Sequence, residues 1–246
     1  MNRNDYETKV YNMLLDTNVN KPLSEDVKRK ADKVLKTLAD SNNITDKQYI
    51  NITSYETKTP IFYGIPKIHK VNHPLRPIVS QINGPTYRLN QYIHELLLVA
   101  ESEIPHLLKD TTAFLQLIEK HKSVTESTIL VTMDVISLYT NIPHNKAIEF
   151  ISEHYENTLN CSRFYKTRVL PVNTVQLKQL LQLMLFNCTL EFNNEYFSQL
   201  YGTPMSVRIA NIYRYKFLIK FLTSHNAYKP LFIDRLIDDL FFLWGE

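Results

Sequence analysis

Three aspartates stand beside apolar segments, where an ionised carboxylate is costly unless something compensates its charge. Asp134 follows the run Ile129–Met133, and Asp238 and Asp239 separate two short apolar segments close to the C-terminus. Mg²⁺ binds in proteins through one or two carboxylates together with substrate phosphates, and metal-assisted phosphoryl transfer needs mainly positioning and charge neutralisation. Aspartates in solvated turns are the alternative. Because acidic residues occur beside apolar segments at two separate places in the chain, a divalent-cation site is the favoured interpretation.

A basic segment precedes the first of these aspartates. Residues 57–94 contain no Asp or Glu, and the prolines among them predict extended and looped backbone rather than helix. A segment of this kind can form an electropositive surface that faces phosphates, although a solvated basic loop explains it as well. Its basic side chains are those of Lys58, Lys67, Lys70, Arg76 and Arg88.

Composition is that of an ordinary globular protein. The chain has 246 residues, 44% hydrophobic and 22% charged, with a net charge of +3, which allows one large domain or two small ones and excludes a disordered chain. Cys161 and Cys188 lack the spacing of a zinc site or disulfide framework. No apolar stretch reaches the roughly 18 residues of a membrane span, and no signal peptide is evident, so we expect an intracellular protein that does not enter a membrane.

Hydrophobic periodicity predicts an α+β fold. Residues 129–133 are typical of a buried strand that ends at Asp134, and residues 189–200 of a hairpin that turns at Asn193 and Asn194. Two further apolar strands flank Asp238 and Asp239. Helices are expected at 1–20, from an N-cap at Ser24, at 86–100, at 111–121, from Pro143 through Tyr155, at 174–187 and at 205–222.

Several sequence blocks resemble the motifs of Penelope-like retroelement reverse transcriptases. FYGIPKIHK at 62–70 and LRPIVS at 75–80 are similar to the finger motifs of that family. MDVISLYTNIP at 133–143 resembles palm motif A, GTPM with SVRIANIY at 202–213 resembles motif B, and RLIDDLFFLW at 235–244 resembles motif C. The blocks follow the order of the family, which makes their combination specific.

The resemblance implies the fingers and ferredoxin-like palm of a right-hand polymerase. Residues 1–125 would form N-terminal helices and fingers, and residues 126–246 a palm with a fingers return segment at about 145–185. The sequence stops just after motif C, so the resemblance also implies that the thumb is missing. The final strand, rich in Phe241, Phe242 and Trp244, is then expected to be an unpaired edge.

The implied activity is RNA-directed DNA polymerisation by a retroelement domain. Its partners would be an RNA template, a DNA primer and a dNTP, its cofactor two Mg²⁺ ions with Mn²⁺ as a substitute, and its location the nucleus. Two metal ions about 4 Å apart would activate a 3′-hydroxyl and steady the leaving pyrophosphate. The oligomeric state stays open.

The resemblance assigns roles to individual residues. Asp134, Asp238 and Asp239 would be catalytic and hold the metal ions. Lys67 and Arg76 would grip the triphosphate of the dNTP, since Arg binds phosphate through two hydrogen bonds and Lys as a point charge. The remaining implied contacts are Tyr139 against a ribose 2′-hydroxyl, Gly202 against template and nucleotide, and Lys70 and Arg88 on the template backbone. Tyr139 as a core tyrosine, and Lys70 and Arg88 as solvated side chains, are the alternatives.

Motif B departs from the family pattern. Met205 runs directly into Ser206, as if four residues resembling GSPL were missing, and Arg208 stands where a small or apolar residue is usual. A deletion of four residues shifts the following helix by more than one helical turn. Catalytic geometry does not tolerate such a displacement, so a partial or inactive enzyme is expected. Asn211 is predicted to be a structural bridge, and Leu236 replaces an aromatic residue in motif C.

Three other readings compete with an active polymerase. The first is a non-catalytic nucleic-acid-binding remnant of such a domain, which the acid-free segment 57–94 favours. The second is a fragment that does not fold alone. The third, a two-metal nuclease, explains the aspartates but not the basic finger blocks.

Overall fold

The structure is a computed structural model, and it describes the chain in segments separated by short gaps. The described residues form helices and small antiparallel sheets, in agreement with the predicted mixture of helix and strand. They are residues 1–14, 18–19, 24–53, 57–120, 127–134, 141–160, 169, 171–203, 208–224, 230–236 and 239–244.

The predicted helices and strands occur in the predicted order, and the structure adds a short strand at Asn18–Val19 and a helix at Asp46–Ile52 that the sequence analysis did not predict. The helices are α1 (Arg3–Leu14), α2 (Ser24–Asp40), α3 (Asp46–Ile52), α4 (Tyr87–Ser102), α5 (Thr111–Lys120), α6 (His144–Thr158), α7 (Thr174–Leu185) and α8 (Ile209–Ser224). The strands are β1 (Asn18–Val19), β2 (Phe62–Pro66), β3 (Leu75–Val79), β4 (Ile129–Asp134), β5 (Thr189–Phe192), β6 (Glu195–Ser198), β7 (Phe232–Leu236) and β8 (Asp239–Trp244).

A helical core holds most of the molecule together. Leu96, Leu97, Ile151 and Leu180 are completely buried in it, on α4, α6 and α7. Burial of each such side chain contributes about 1.5–3 kcal/mol. The same core also includes buried residues of α2 and α8.

A second, smaller core lies near the N-terminus. Val10 and Leu14 of α1 pack in one cluster with Phe62 and Leu75 of the β2–β3 hairpin. The cluster also includes Phe192 and Phe197 from the hairpin of β5 and β6. Asn193 and Asn194 both have positive φ, 50° and 62°, which confirms the predicted turn between those two strands.

Strands β4, β8 and β7 form what we call the central sheet, in that order and antiparallel throughout. Strand β8 therefore lies in the middle and has neighbours on both sides. The expectation that the final strand would be an unpaired edge was wrong, because β4 comes from far back in the chain to pair with it. The edges of this sheet are β4 and β7.

Two further local expectations need correction. Strand β4 was predicted to be buried, but Ile129, Leu130 and Met133 are 60%, 68% and 50% exposed. A run of apolar residues indicates that a segment tends to avoid water, but it does not show that other elements cover both faces of the strand. Strand β4 stays exposed because it lies at the edge of the sheet. Pro143 was placed in the first turn of α6, whereas it is the N-cap residue one position earlier.

Candidate functional site

Asp134 and Asp239 face each other across two neighbouring strands. Asp134 is the last residue of β4, Asp239 is the first residue of β8, and the register pairs them directly. Residues directly opposite in an antiparallel pair have Cβ atoms about 4.5–5.5 Å apart and side chains on the same face of the sheet. The fold thus brings together two carboxylates that lie far apart in the sequence.

Both carboxylates are exposed, and no described residue compensates their charge. Neither side chain has a hydrogen bond or an ion pair with any other described residue. Like charges directly opposite each other on a sheet are destabilising, whereas a divalent cation between them turns repulsion into attraction. Two carboxylate oxygens with open solvent around them suit Mg²⁺, which retains water and substrate oxygens as its other ligands.

The alternation of strand residues explains why these aspartates stay exposed. Met133, Leu240 and Phe242 point to the opposite face of the central sheet, where Phe242 packs against Leu218 of α8. The aspartates are one residue out of phase with this apolar set. They therefore lie on the face that turns away from α8.

Two predicted site residues lie outside the described part of the chain. These are Asp238, next to Asp239, and Tyr139, five residues after Asp134. Among the described residues, no group of three or more His, Cys, Asp or Glu could hold a metal ion. The described part of the site is the pair Asp134 and Asp239.

The predicted phosphate-binding residues lie on the basic hairpin, which we define as β2, β3 and the connecting residues 67–74. Lys67 follows β2, and its backbone N–H donates to Pro74 O at 2.9 Å, which closes the loop. Arg76 is exposed on β3 opposite Ile65. The side chains of Lys67, Lys70 and Arg76 form no ion pair with the described residues, so their charges stay available for an anionic partner.

Arg88 lies apart from the hairpin, as an exposed residue in the first turn of α4. No hydrogen bond or ion pair joins the aspartate pair to the basic hairpin within the described segments. Asp134 and Asp239 lie on the central sheet, whereas Lys67 and Arg76 lie on the basic hairpin.

Gly202 has the left-handed backbone for which glycine is suited, with φ at 89°. Its N–H donates to Ile142 O at 2.8 Å, and its carbonyl accepts from Nε2 of His144 at 2.8 Å. Both backbone groups are therefore occupied by the segment that follows Asp134 in the chain. Burial lowers the pKa of His144, against the opposing effect of this hydrogen bond, so the ring is neutral and carries its proton on Nε2.

Helix α1 supports the basic hairpin, which the sequence did not reveal. The Nζ of Lys9 donates to the carbonyls of Asn72 and His73, both of which have positive φ. The hydroxyl of Tyr6 accepts from Gly64 N–H at 2.8 Å. The one sequence feature that could have indicated this contact is the spacing of Tyr6 and Lys9. They are three residues apart on one helix and therefore lie on the same face.

Arg208, the residue that departs from the motif B pattern, anchors α8 to α4. Its guanidinium forms an ion pair with Glu101 and a hydrogen bond with the ring of His94. Asn211 Nδ2 donates to Oε1 of Glu101 at 2.7 Å, which confirms that Asn211 is a structural bridge. Arg208 and Asn211 thus contact the two carboxylate oxygens of Glu101. Arg208, which departs from the motif B pattern, therefore has a structural role in holding α8 against α4.

Solved telomerases have a similar fold. The chain aligns with apo telomerase from Candida tropicalis, truncated from the C-terminal domain, at a TM-score of 0.52 and 13% identity over 76% of this chain and 44% of that one. Telomerase from the same organism in complex with a TWJ fragment of telomeric RNA gives 0.53 and 13% over 78% and 37%. The corresponding Candida albicans complex gives 0.53 and 10% over 87% and 42%. The fold is polymerase-like.

This likeness concerns the fold alone, because the identities are low. The chain spans less than half the length of each of these telomerase chains. No family model matches the sequence, and no curated protein matches it either. None of the described helices is long and apolar enough to cross a lipid bilayer.

Proposed function

We propose that this chain is the reverse transcriptase domain of a Penelope-like retroelement, with residues 1–125 as N-terminal helices and fingers and 126–246 as palm. The single observation that carries the proposal is the direct pairing of Asp134 with Asp239 in a polymerase-like fold. The substrates would be an RNA template, a DNA primer and a dNTP. The sequence blocks that resemble the family support these finer assignments.

In this proposal Asp134 and Asp239 hold the divalent metal together with Asp238, which lies outside the described residues. The bound metal would supply charge neutralisation at the reacting phosphate and a more acidic primer 3′-hydroxyl. The aspartates contribute by keeping two hard oxygen ligands on rigid strands, where the sheet register fixes their separation. Lys67 and Arg76 would hold the triphosphate, because their charges are uncompensated in the described structure.

Primer extension on an RNA template tests the catalytic role. With Mg²⁺ or Mn²⁺, Asp134→Asn and Asp239→Asn should each lower the extension rate by about a hundredfold or more, because each change removes a charged metal ligand. Asp40→Asn is the matched control, since it removes the same charge at the exposed end of α2. Extension by Asp239→Asn at the wild-type rate would contradict the site assignment.

The altered motif B predicts slow extension by the wild-type chain, and a second variant addresses this. Helix α8 begins at Ile209, four positions after Met205, where the sequence is shorter than the family pattern. Insertion of Gly-Ser-Pro-Leu between Met205 and Ser206 should raise the extension rate by restoring the entry to this helix. No extension by either the wild type or the insertion variant would leave the domain without polymerase activity and favour the next candidate.

The second candidate is a non-catalytic nucleic-acid-binding domain. The uncompensated charges of the basic hairpin favour it, since they lie on a supported loop that needs no metal. Binding to an RNA–DNA duplex should then weaken steeply as salt rises, and Lys67→Ala with Arg76→Ala should flatten that dependence. Binding by Asp134→Asn at wild-type affinity, without extension by any variant, would select this function over catalysis.

A further inference from the structure

A cavity of about 560 Å³ lies between α8, the start of α6 and the apolar face of the central sheet. Ile233, Leu240 and Phe242 line it from the sheet, and Tyr213 and Phe217 line it from α8. Pockets for organic ligands have volumes of about 300–1,000 Å³ and mostly apolar walls. Asp134 and Asp239 lie on the other face of the same sheet, so this cavity is distinct from the proposed metal site.

The polar part of the cavity wall is positively charged. Lys146, Arg214 and Arg235 belong to the lining, whereas no described lining residue is acidic. Lys146 is exposed, while the two arginines are buried. An apolar space with cations in its wall is complementary to a ligand with an apolar body and an anionic group.

Arg235 is the least compensated of the buried cations. It is 0% exposed, and none of its three guanidinium nitrogens has a hydrogen-bond partner among the described residues. Burial, together with the nearby charge of Arg214, lowers its pKa to about 10. The negative charge of Glu101 attracts Arg235. However, one oxygen of Glu101 forms an ion pair with Arg208 and the other accepts a hydrogen bond from Asn211.

A buried guanidinium without acceptors is costly for the fold. An anion that reaches Arg235 supplies the missing hydrogen-bond acceptors and negative charge. The desolvation penalty of the guanidinium is then partly offset, which makes the binding free energy more favourable. The nitrogens are shielded from water, and the anionic group therefore reaches them only if neighbouring side chains shift. The aromatic residues of the wall favour a ligand with rings, which stack on Phe and Tyr.

We propose that this cavity binds a compact aromatic anion, with its rings between α8 and the central sheet and its anionic group at Arg235. The binding site is additional to the proposed polymerase site and does not depend on it. The occupant carries an aromatic ring system that packs against Phe and Tyr of the wall and an anionic group that reaches Arg235.

Titration of the purified full chain with 1-anilinonaphthalene-8-sulfonate tests the proposal. The sulfonate should bind saturably and about tenfold or more tightly than the neutral N-phenyl-1-naphthylamine. Arg235→Met should abolish this preference by weakening only the sulfonate. Lys178→Met, which removes an exposed charge on α7, should leave both affinities unchanged. Equal affinity of the two dyes for the wild-type chain would overturn the proposal.

Two measurements on the wild-type chain keep the test decisive if Arg235→Met fails to fold. A dye that binds the folded state raises Tm as its concentration increases, whereas a dye that binds loosened chains lowers it. Trp244 is the single tryptophan and lies on β8, with its ring 6.2 Å from that of Phe242 in the cavity wall. The sulfonate should raise Tm and quench Trp244 emission by energy transfer. A lower Tm, or emission that stays unquenched at saturation, would refute binding in this cavity.

Discussion

At the scale of the residue, the proposed chemistry depends on two carboxylates that repel each other. Asp134 and Asp239 are paired across the central sheet without a compensating cation among the described residues. Two groups in this arrangement reduce stability in the absence of metal and increase it when metal binds. The site can therefore be examined through folding as well as through activity.

Thermal unfolding with and without Mg²⁺ examines the pair directly. In a chelator, Asp239→Asn should be more stable than the wild type, by up to about 1 kcal/mol, because the cross-strand repulsion is removed. Added Mg²⁺ should raise the Tm of the wild type and leave that of Asp239→Asn nearly unchanged. Asp40→Asn should respond to Mg²⁺ as the wild type does. If Mg²⁺ stabilised Asp239→Asn as much as the wild type, these carboxylates would not be its ligands.

His144 makes the structure sensitive to acid. It is buried and neutral, and burial lowers its pKa below the unfolded value of about 6.5. The unfolded chain then binds more protons than the folded one, so the free energy of unfolding falls as pH drops below about 6.5 and until the folded pKa is passed. Above pH 6.5 this contribution is constant.

The comparison with His144→Gln isolates this effect, because the amide keeps a donor for Gly202 O and does not titrate. Between pH 7.5 and 5, the wild type should lose stability relative to His144→Gln in urea unfolding. His69→Gln, on the exposed loop of the basic hairpin, should follow the wild type at every pH. Parallel pH curves for His144→Gln and the wild type would show that His144 is not the responsible group.

At the scale of the element, the position of α8 is set by a polar anchor. Arg208 and Asn211 near its N-terminus bind Glu101 near the C-terminus of α4, and the paired side chains of Arg208 and Glu101 are 18% and 15% exposed. Ion pairs that are mostly buried are screened less than surface pairs and cost more when broken from one side. The anchor therefore fixes the helix that packs behind the aspartates.

A double-mutant cycle of Glu101→Gln and Arg208→Met measures this anchor. Each single variant should be destabilised, and the coupling free energy should be about 2 kcal/mol in denaturant unfolding. The matched comparison is the pair Arg3 and Glu7, in which Nε of Arg3 and Oε1 of Glu7 are 2.7 Å apart but the arginine side chain is 83% exposed. Its coupling should be too small to measure. Equal couplings in the two pairs would mean that the anchor is an ordinary surface interaction.

At the scale of the whole molecule, the sequence predicted elements better than contacts. The helices, the turn at Asn193 and the strands around the aspartates follow from periodicity and local backbone preference, which are short-range properties. The pairing of Asp134 with Asp239 depends on strand register across a hundred residues of chain, and only the resemblance to a family indicated it. The contact of Lys9 with the basic hairpin and the burial of Arg235 depend on packing, for which the sequence carried no local sign.

The prediction that β4 is buried was wrong for the same reason, since burial depends on packing. The exposure of β4 in turn predicts that the molecule self-associates. Among the described strands β4 is an edge strand, with Ile129, Leu130 and Met133 exposed. Its outer backbone groups have no partner strand among the described residues, which favours association with a strand of a second chain. We expect the chain to self-associate at micromolar concentrations. Leu130→Lys should shift it toward monomer without a loss of stability, because this side chain is mostly exposed and a charged edge opposes pairing.

Sedimentation velocity over a range of protein concentrations measures the association. Ile50→Lys serves as the control, since Ile50 is 52% exposed on α3 and has no free strand edge beside it. That variant should associate as the wild type does. If both lysine variants became monomeric, general surface hydrophobicity would be responsible. A wild type that stays monomeric at every concentration would show that the exposed strand is too short or too twisted to pair, and that burial of β4 by another chain is not needed for a stable fold.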